Sequence, residues 1–134
     1  SSFRNGGGKM IVYAGWADPN IAPMWSIRHV EAVTQDTIGH GTTISENDFV
    51  KLVMVPGGGH CGANIADYPY VPAHYDFSSA LVEWVEKGRE PVKGIRSWGP
   101  TNGEDRTRKL CTWPQVAKLR KNKDADDWKS YRCG

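Results

Sequence analysis

The sequence predicts an α/β fold on three observations. Its segments alternate in the order strand, helix, strand, helix, the pattern of a parallel strand pair joined by a crossover helix. Both strand segments are near-continuous apolar runs, as expected of parallel strands covered on both faces. Each is followed at its C-terminal end by a residue suited to chemistry, Asp18 after the first and His60 after the second. In a parallel sheet those two ends share one edge, where open α/β folds place their sites.

The elements follow in order. After Gly6-Gly7-Gly8, the run Met10-Ile11-Val12-Tyr13-Ala14 reads as a buried strand that stops at Gly15. Trp16-Ala17-Asp18-Pro19 reads as a loop. A helix is expected from near Pro23, a residue suited to a first helical turn, with Ile27, Val30 and Val33 on its apolar face and Gly39 and Gly41 ending it. Phe49 to Val55 reads as a second buried strand in which only Lys51 is charged, broken by Pro56 and three glycines. A long loop runs to about Tyr75. Asp76 is a good N-cap for a helix whose Phe77, Ala80, Leu81, Trp84 and Val85 form one apolar face, with Gly88 as its stop. Beyond Pro91 the chain reads as irregular, apart from a turn of helix around Gln115 to Leu119. Two strands and two helices cannot cover a sheet buried on both faces. The chain is therefore expected to be a piece of a larger domain, and in isolation to be inactive and poorly folded, with an exposed apolar edge.

Composition bounds the function. The chain has 134 residues, room for one small domain at most, with 39% hydrophobic and 24% charged residues. The longest uncharged apolar run, Met10 to Trp16, is far too short to cross a bilayer, and Ser1 to Asn5 lack the apolar core of a signal peptide. Residues 1–92 carry six Lys/Arg and ten Asp/Glu, whereas residues 93–134 carry eleven and five. The basic tail invites a nucleic-acid reading. Asp124, Asp126 and Asp127 interrupt it and no nucleic-acid motif accompanies it, so neither a nucleic acid nor a membrane is expected as partner. The three cysteines are an odd number, so one is free or paired outside this chain.

A carboxylate beside an imidazole is the orienting half of a nucleophile–base–acid triad, and the order Asp before His is that of α/β-hydrolases, in which Ser comes first. The plainer readings stay open at this point: Asp18 before Pro19 as a turn former, His60 after glycines as a surface residue. None of the serines, at 1, 2, 26, 45, 78, 79, 97 and 130, lies in a Gly-x-Ser-x-Gly elbow between a strand and a helix. A nucleophile for this pair would lie upstream of residue 1. Gly57, Gly59 and Gly62 match a dinucleotide fingerprint in letters, but the loop that follows holds Tyr68, Pro69 and Pro72 instead of opening a helix. A zinc site from His60 and Cys61 lacks ligand spacing, and no metal or cofactor is expected on these residues.

Gly8-Lys9-Met10-Ile11-Val12-Tyr13, Gly15-Trp16-Ala17-Asp18-Pro19, Met54-Val55-Pro56-Gly57-Gly58-Gly59-His60-Cys61-Gly62, Leu81 to Gly88 and Arg106 to Cys111 together resemble the C-terminal part of the tannase/feruloyl esterase family over nearly the whole chain. The resemblance implies a secreted, extracellular α/β-hydrolase that cleaves esters of aromatic acids. It implies that residues 1–92 are the C-terminal part of the hydrolase domain (its last two parallel strands with flanking helices), and that residues 93–134 are an irregular tail closed by a disulfide and packed on the same domain. It implies Asp18 as triad acid and His60 as general base. Cys61 would pair with a cysteine beside the missing serine, in the N-terminal part of the same enzyme, and Cys111 would pair with Cys133. A structural calcium is implied only for a lid domain outside these residues. Ala14 departs from the family, where a polar residue often precedes the glycine. The alternative is a secreted, disulfide-stapled binding or structural domain without catalytic activity.

Overall fold

The computed structural model describes residues 1–60, 73–99 and 106–134. A single helical turn, α1 (Ser2–Asn5), precedes strand β1 (Met10–Gly15), helix α2 (Pro23–Ile38) and strand β2 (Val50–Val55). β1 and β2 pair in parallel with unbroken register from Met10 opposite Val50 to Gly15 opposite Val55, and α2 is the crossover. Strand β3 (His74–Tyr75), helix α3 (Phe77–Lys87), strands β4 (Ile95–Trp98), β5 (Thr107–Leu110), β6 (Ala117–Leu119) and β7 (Tyr131–Cys133) follow. β3, β4 and β5 form an antiparallel sheet in that order, and β6 and β7 form an antiparallel ribbon. The fold is a mixed α/β architecture with parallel and antiparallel sheets. Among the described residues no helix is long and apolar enough to cross a membrane.

The core follows the two-residue period of β2. Leu52 and Met54 face α2, where they join Ile27, Val30, Ile44 and Phe49. Val53 and Val55 face the opposite way, onto Ile95 of β4 and Leu110 of β5. Residues beyond Pro91 thus share a core with the parallel pair. Lys51 is buried on this second side. Its Nζ donates to the Asn47 carbonyl at 2.5 Å, lies 3.3 Å from Glu90 Oε2 and sits near the buried Trp84 ring, so the charge enters the interior paired. Asn47, fully buried, joins α2 to the start of β2. Its Oδ1 accepts from the backbone N–H groups of Phe49 and Val50 at 3.0 and 2.7 Å, and its Nδ2 donates to Thr34 Oγ1 of α2 at 2.6 Å.

Several expectations need correction. β2 is buried along its whole length, but β1 is not: Met10 and Tyr13 are 43% and 41% exposed. The cause is the neighbourhood of each strand. The outer edge of β2 is covered by the tail, where Thr112 bridges antiparallel to Val53 and the Trp113 N–H donates to the Leu52 carbonyl at 2.7 Å. Among the described residues no strand lies on the outer edge of β1. The expected helical turn near Gln115 to Leu119 is instead strand β6, and the expected loop before Asp76 holds β3. Among the described residues the tail holds strands β4 to β7 where irregular chain is expected; they are short and rich in Lys and Arg, which hides their alternation. Asp76 occupies the N-cap of α3, yet its side chain makes no capping bond, whereas Gly88 ends the helix in the left-handed conformation at φ 64°.

Cys111, just after β5, is bonded to Cys133 of β7, with Cα atoms 5.6 Å apart and a sequence separation of 22. Replacing both with Ser is expected to lower unfolding free energy by about 3 kcal/mol through the loop entropy restored to the unfolded chain. Denaturant unfolding of the double variant against its parent checks this; an unchanged midpoint would show that the β6–β7 ribbon holds without its staple.

Candidate active site

The C-terminal ends of β1 and β2 lead into two loops that lie against each other. Gly15 approaches the second loop so closely that a Cβ there would stand 1.9 Å from the Gly58 carbonyl oxygen. The Trp16 N–H donates to the Val55 carbonyl and the Ala17 N–H to the Gly58 carbonyl, both at 3.0 Å. These bonds fix the loop after β1 to the loop after β2 one residue before Asp18.

Asp18 then turns the chain with its own side chain. Its Oδ1 accepts from the backbone N–H groups of Asn20 at 2.8 Å and Ile21 at 3.0 Å, an Asx turn leading toward α2. The same carboxylate meets the imidazole of His60, with Nδ1 2.9 Å from Oδ2 and 3.2 Å from Oδ1. The Asp18 side chain is only 10% exposed and that of His60 is 39% exposed. The Ile21 N–H is the leading cause that holds the Asp18 carboxyl below the ordinary aspartate range; the Asn20 N–H and His60 add to it and desolvation opposes it. Asp18 is therefore ionised at neutral pH and can only accept. Neutral His60 must then carry its proton on Nδ1, which leaves the lone pair on Nε2 for proton abstraction.

The pair opens onto a cavity of about 200 Å³ bounded by Tyr13, Gly15, Asp18, Ile21, Ser26 and His60. Ser26 lies in the first turn of α2 and makes no hydrogen bond to His60 among the described residues. A larger cleft of about 490 Å³ lies on the tail beside Arg96 and Trp128. Its acids are already engaged: Asp126 with Arg106 and Arg108, Asp124 and Asp127 with backbone N–H groups. It offers no general base. Among the described residues no group of three or more His, Cys, Asp or Glu is placed to hold a metal.

The structure thus brings together Asp18 and His60, 42 positions apart, as the sheet-edge argument expects. It also joins Cys111 to Cys133. Cys61 and the rest of the glycine fingerprint at Gly62 lie outside the described residues. Sequence reasoning offered a turn-forming Asp18 only as the alternative to a His60 partner, whereas the one carboxylate does both; it missed the contact that only a glycine at 15 allows. The Asp-Pro-Asn order of residues 18–20 is a signal for the turn; the glycine contact has no local signal.

Comparison with known proteins adds an independent line. The family model described as tannase and feruloyl esterase matches residues 1–134. The chain is 30% identical over 131 residues to a tannase of Aspergillus oryzae, covering 92% of this chain and 21% of that protein. It is 30% identical over 137 residues to a mono(2-hydroxyethyl) terephthalate hydrolase of Piscinibacter sakaiensis, covering 99% of this chain and 21% of that one. Among solved structures, a tannin acyl hydrolase from Aspergillus niger superposes with a TM-score of 0.75 at 28% identity, covering 98% of this chain and 24% of that chain. The chain spans about a quarter or less of the length of each of these relatives.

Proposed function

Because this chain belongs to the tannase and feruloyl esterase family, we propose that it supplies the acid and the base of a secreted serine carboxylic ester hydrolase acting on esters of aromatic acids. The observation that carries the proposal is the Asp18–His60 pair, 2.9 Å apart at one sheet edge, with the base's Nε2 left available. Residues 1–92 are the C-terminal part of an α/β-hydrolase domain, and residues 93–134 are its disulfide-closed tail. The nucleophilic serine lies in polypeptide upstream of Ser1. Among the described residues the outer edge of β1 is unpaired and its Met10 and Tyr13 are partly exposed, which supports an upstream strand joining the sheet there. Cys61 pairs with a cysteine beside that serine, tying the histidine loop to the nucleophile. The Cys111–Cys133 bond fits an oxidising, extracellular setting.

In the reaction, His60 Nε2 takes the proton of the serine hydroxyl as the oxygen attacks the ester carbonyl. The imidazolium, stabilised by Asp18, returns that proton to the leaving alcohol as the C–O bond breaks. Water, deprotonated by the same nitrogen, then attacks the acyl-enzyme and regenerates the serine. Ester hydrolysis by the polypeptide extended upstream of Ser1, assayed on methyl gallate and methyl ferulate, tests the reading. Release of the aromatic acid from at least one ester is expected, with none from the 134 residues alone. Turnover by the 134 residues alone would overturn the upstream nucleophile, and no turnover of either ester by the extended polypeptide would overturn the substrate class.

A further inference from the structure

We propose that Trp113 is a positioning residue for the Asp18 carboxylate, bracing the acid loop from the tail side through Trp16; this rests on the reading of Asp18 and His60 as triad acid and base. The path of the tail carries the argument. Cys111 is buried and bonded to Cys133, Thr112 bridges to Val53, and the Trp113 N–H donates to the Leu52 carbonyl at 2.7 Å. This stretch meets the outer edge of β2 through one antiparallel bridge and one backbone hydrogen bond, pinned in register by the bridge and the disulfide together. The register sets where the Trp113 side chain lands. It packs against the core on the α2 side of the sheet, and its ring meets Trp16 edge to face, with centroids 5.8 Å apart and planes at 64°.

Trp16 stands two residues before Asp18, and its own N–H is bonded to Val55. Its indole is 41% exposed, and a small cavity of about 80 Å³ bounded by Met54, Pro56 and Leu110 lies beside the pair. Among the described residues Trp113 is the aromatic ring that packs on Trp16. The acid loop is thus held at three points: the bonds of Trp16 and Ala17 to the β2 end, the Asx turn of Asp18, and the aromatic brace. Only the brace comes from the tail. It couples a segment far from the reacting atoms to the alignment of Asp18 on His60, where a displacement of about 1 Å costs about 10²-fold in rate.

The test is a cycle of variants in the extended polypeptide, with kcat and KM measured on whichever of the two methyl esters it hydrolyses. Trp113→Ala is expected to lower kcat ten- to a hundred-fold with KM changed less than about two-fold, and Trp113→Phe, which keeps a ring edge, is expected to recover most of the loss. Placed on Asp18→Asn, Trp113→Ala is expected to cost less than two-fold further, because the group it positions is already disabled. Wild-type kcat in Trp113→Ala, or a full multiplicative loss in the Asp18→Asn background, would overturn the inference. Should Trp113→Ala not yield folded protein, Trp113→Leu is read on the same cycle. Failure of the triad reading itself looks different: Asp18→Asn would then be as active as wild type.

Discussion

Asp18→Asn in the extended polypeptide is expected to lower kcat by about 10⁴-fold, by analogy with the same change in other Ser-His-Asp enzymes, while leaving the fold intact. The site explains why so small a change is so costly. Oδ1 of Asp18 is held by the backbone N–H groups of Asn20 and Ile21, which an amide oxygen can keep. The amide nitrogen is then forced to the Oδ2 position, 2.9 Å from His60 Nδ1. A donor now faces Nδ1, so the imidazole must present its lone pair there and carry its proton on Nε2, the nitrogen that has to accept from the serine. The base is lost by tautomer, with the loop turn preserved. His60→Ala removes the base outright and is expected to cost on the order of 10⁶-fold in kcat. Both variants should still fold cooperatively, Asp18→Asn with a modestly lower melting temperature because the contribution of the ionised carboxylate is lost. Kinetics with a parallel melt distinguish this from unfolding, and activity in Asp18→Asn within ten-fold of wild type would remove Asp18 from the mechanism.

The ionisation of Asp18 adds a sign to this. Its carboxyl is held down chiefly by the Ile21 N–H, so its folded pKa lies below that of the unfolded chain. A depressed carboxyl contributes stability that is present above the unfolded value and is lost as pH falls through the folded one. The acid loop should therefore loosen only at pH below the ordinary aspartate range.

The strand–helix–strand unit and the meeting of Asp18 with His60 could be read from the sequence because each depends on local pattern. Apolar runs and helical spacing mark the elements, and the parallel connection then places both loop residues at one edge without knowledge of any contact. What could not be read depends on pairings distant in sequence. Thr112 and Trp113 reach β2 across more than fifty residues, and that pairing decides which strand is buried on its outer edge. Asn47 looks like an ordinary loop residue until Thr34 is brought to its amide. Ala117-Lys118-Leu119 is built of residues that suit a helical turn at least as well as a strand; β7, stapled in place by Cys133, selects the strand. Such choices are tertiary overrides of weak local preference.

Gly15 shows the same limit with the largest consequence for the site. A glycine that ends a strand reads as a simple stop, and here φ at Gly15 is not in the left-handed region, so its backbone conformation would tolerate alanine. The obstacle is contact. A Cβ at 15 would stand 1.9 Å from the Gly58 oxygen, 2.4 Å from the Gly58 carbonyl carbon and 2.8 Å from the Gly59 oxygen. All three are backbone atoms, so no side chain can swing away; the loop that carries His60 has to move by more than 1 Å to restore ordinary contact. That motion pulls on the Ala17–Gly58 hydrogen bond and draws His60 off Asp18. Gly15→Ala is expected to lower kcat/KM by about 10²-fold or more through misplacement and to destabilise by about 1–3 kcal/mol through overpacking. Gly58→Ala is the matched control. Its Cβ would meet Val55 at 3.0–3.1 Å and the Gly15 Cα at 3.3 Å, contacts that shifts of a few tenths of an ångström relieve, so a loss of less than ten-fold is expected. Equal activity in the two variants would mean that the loops after β1 and β2 do not meet through Gly15 in the working enzyme.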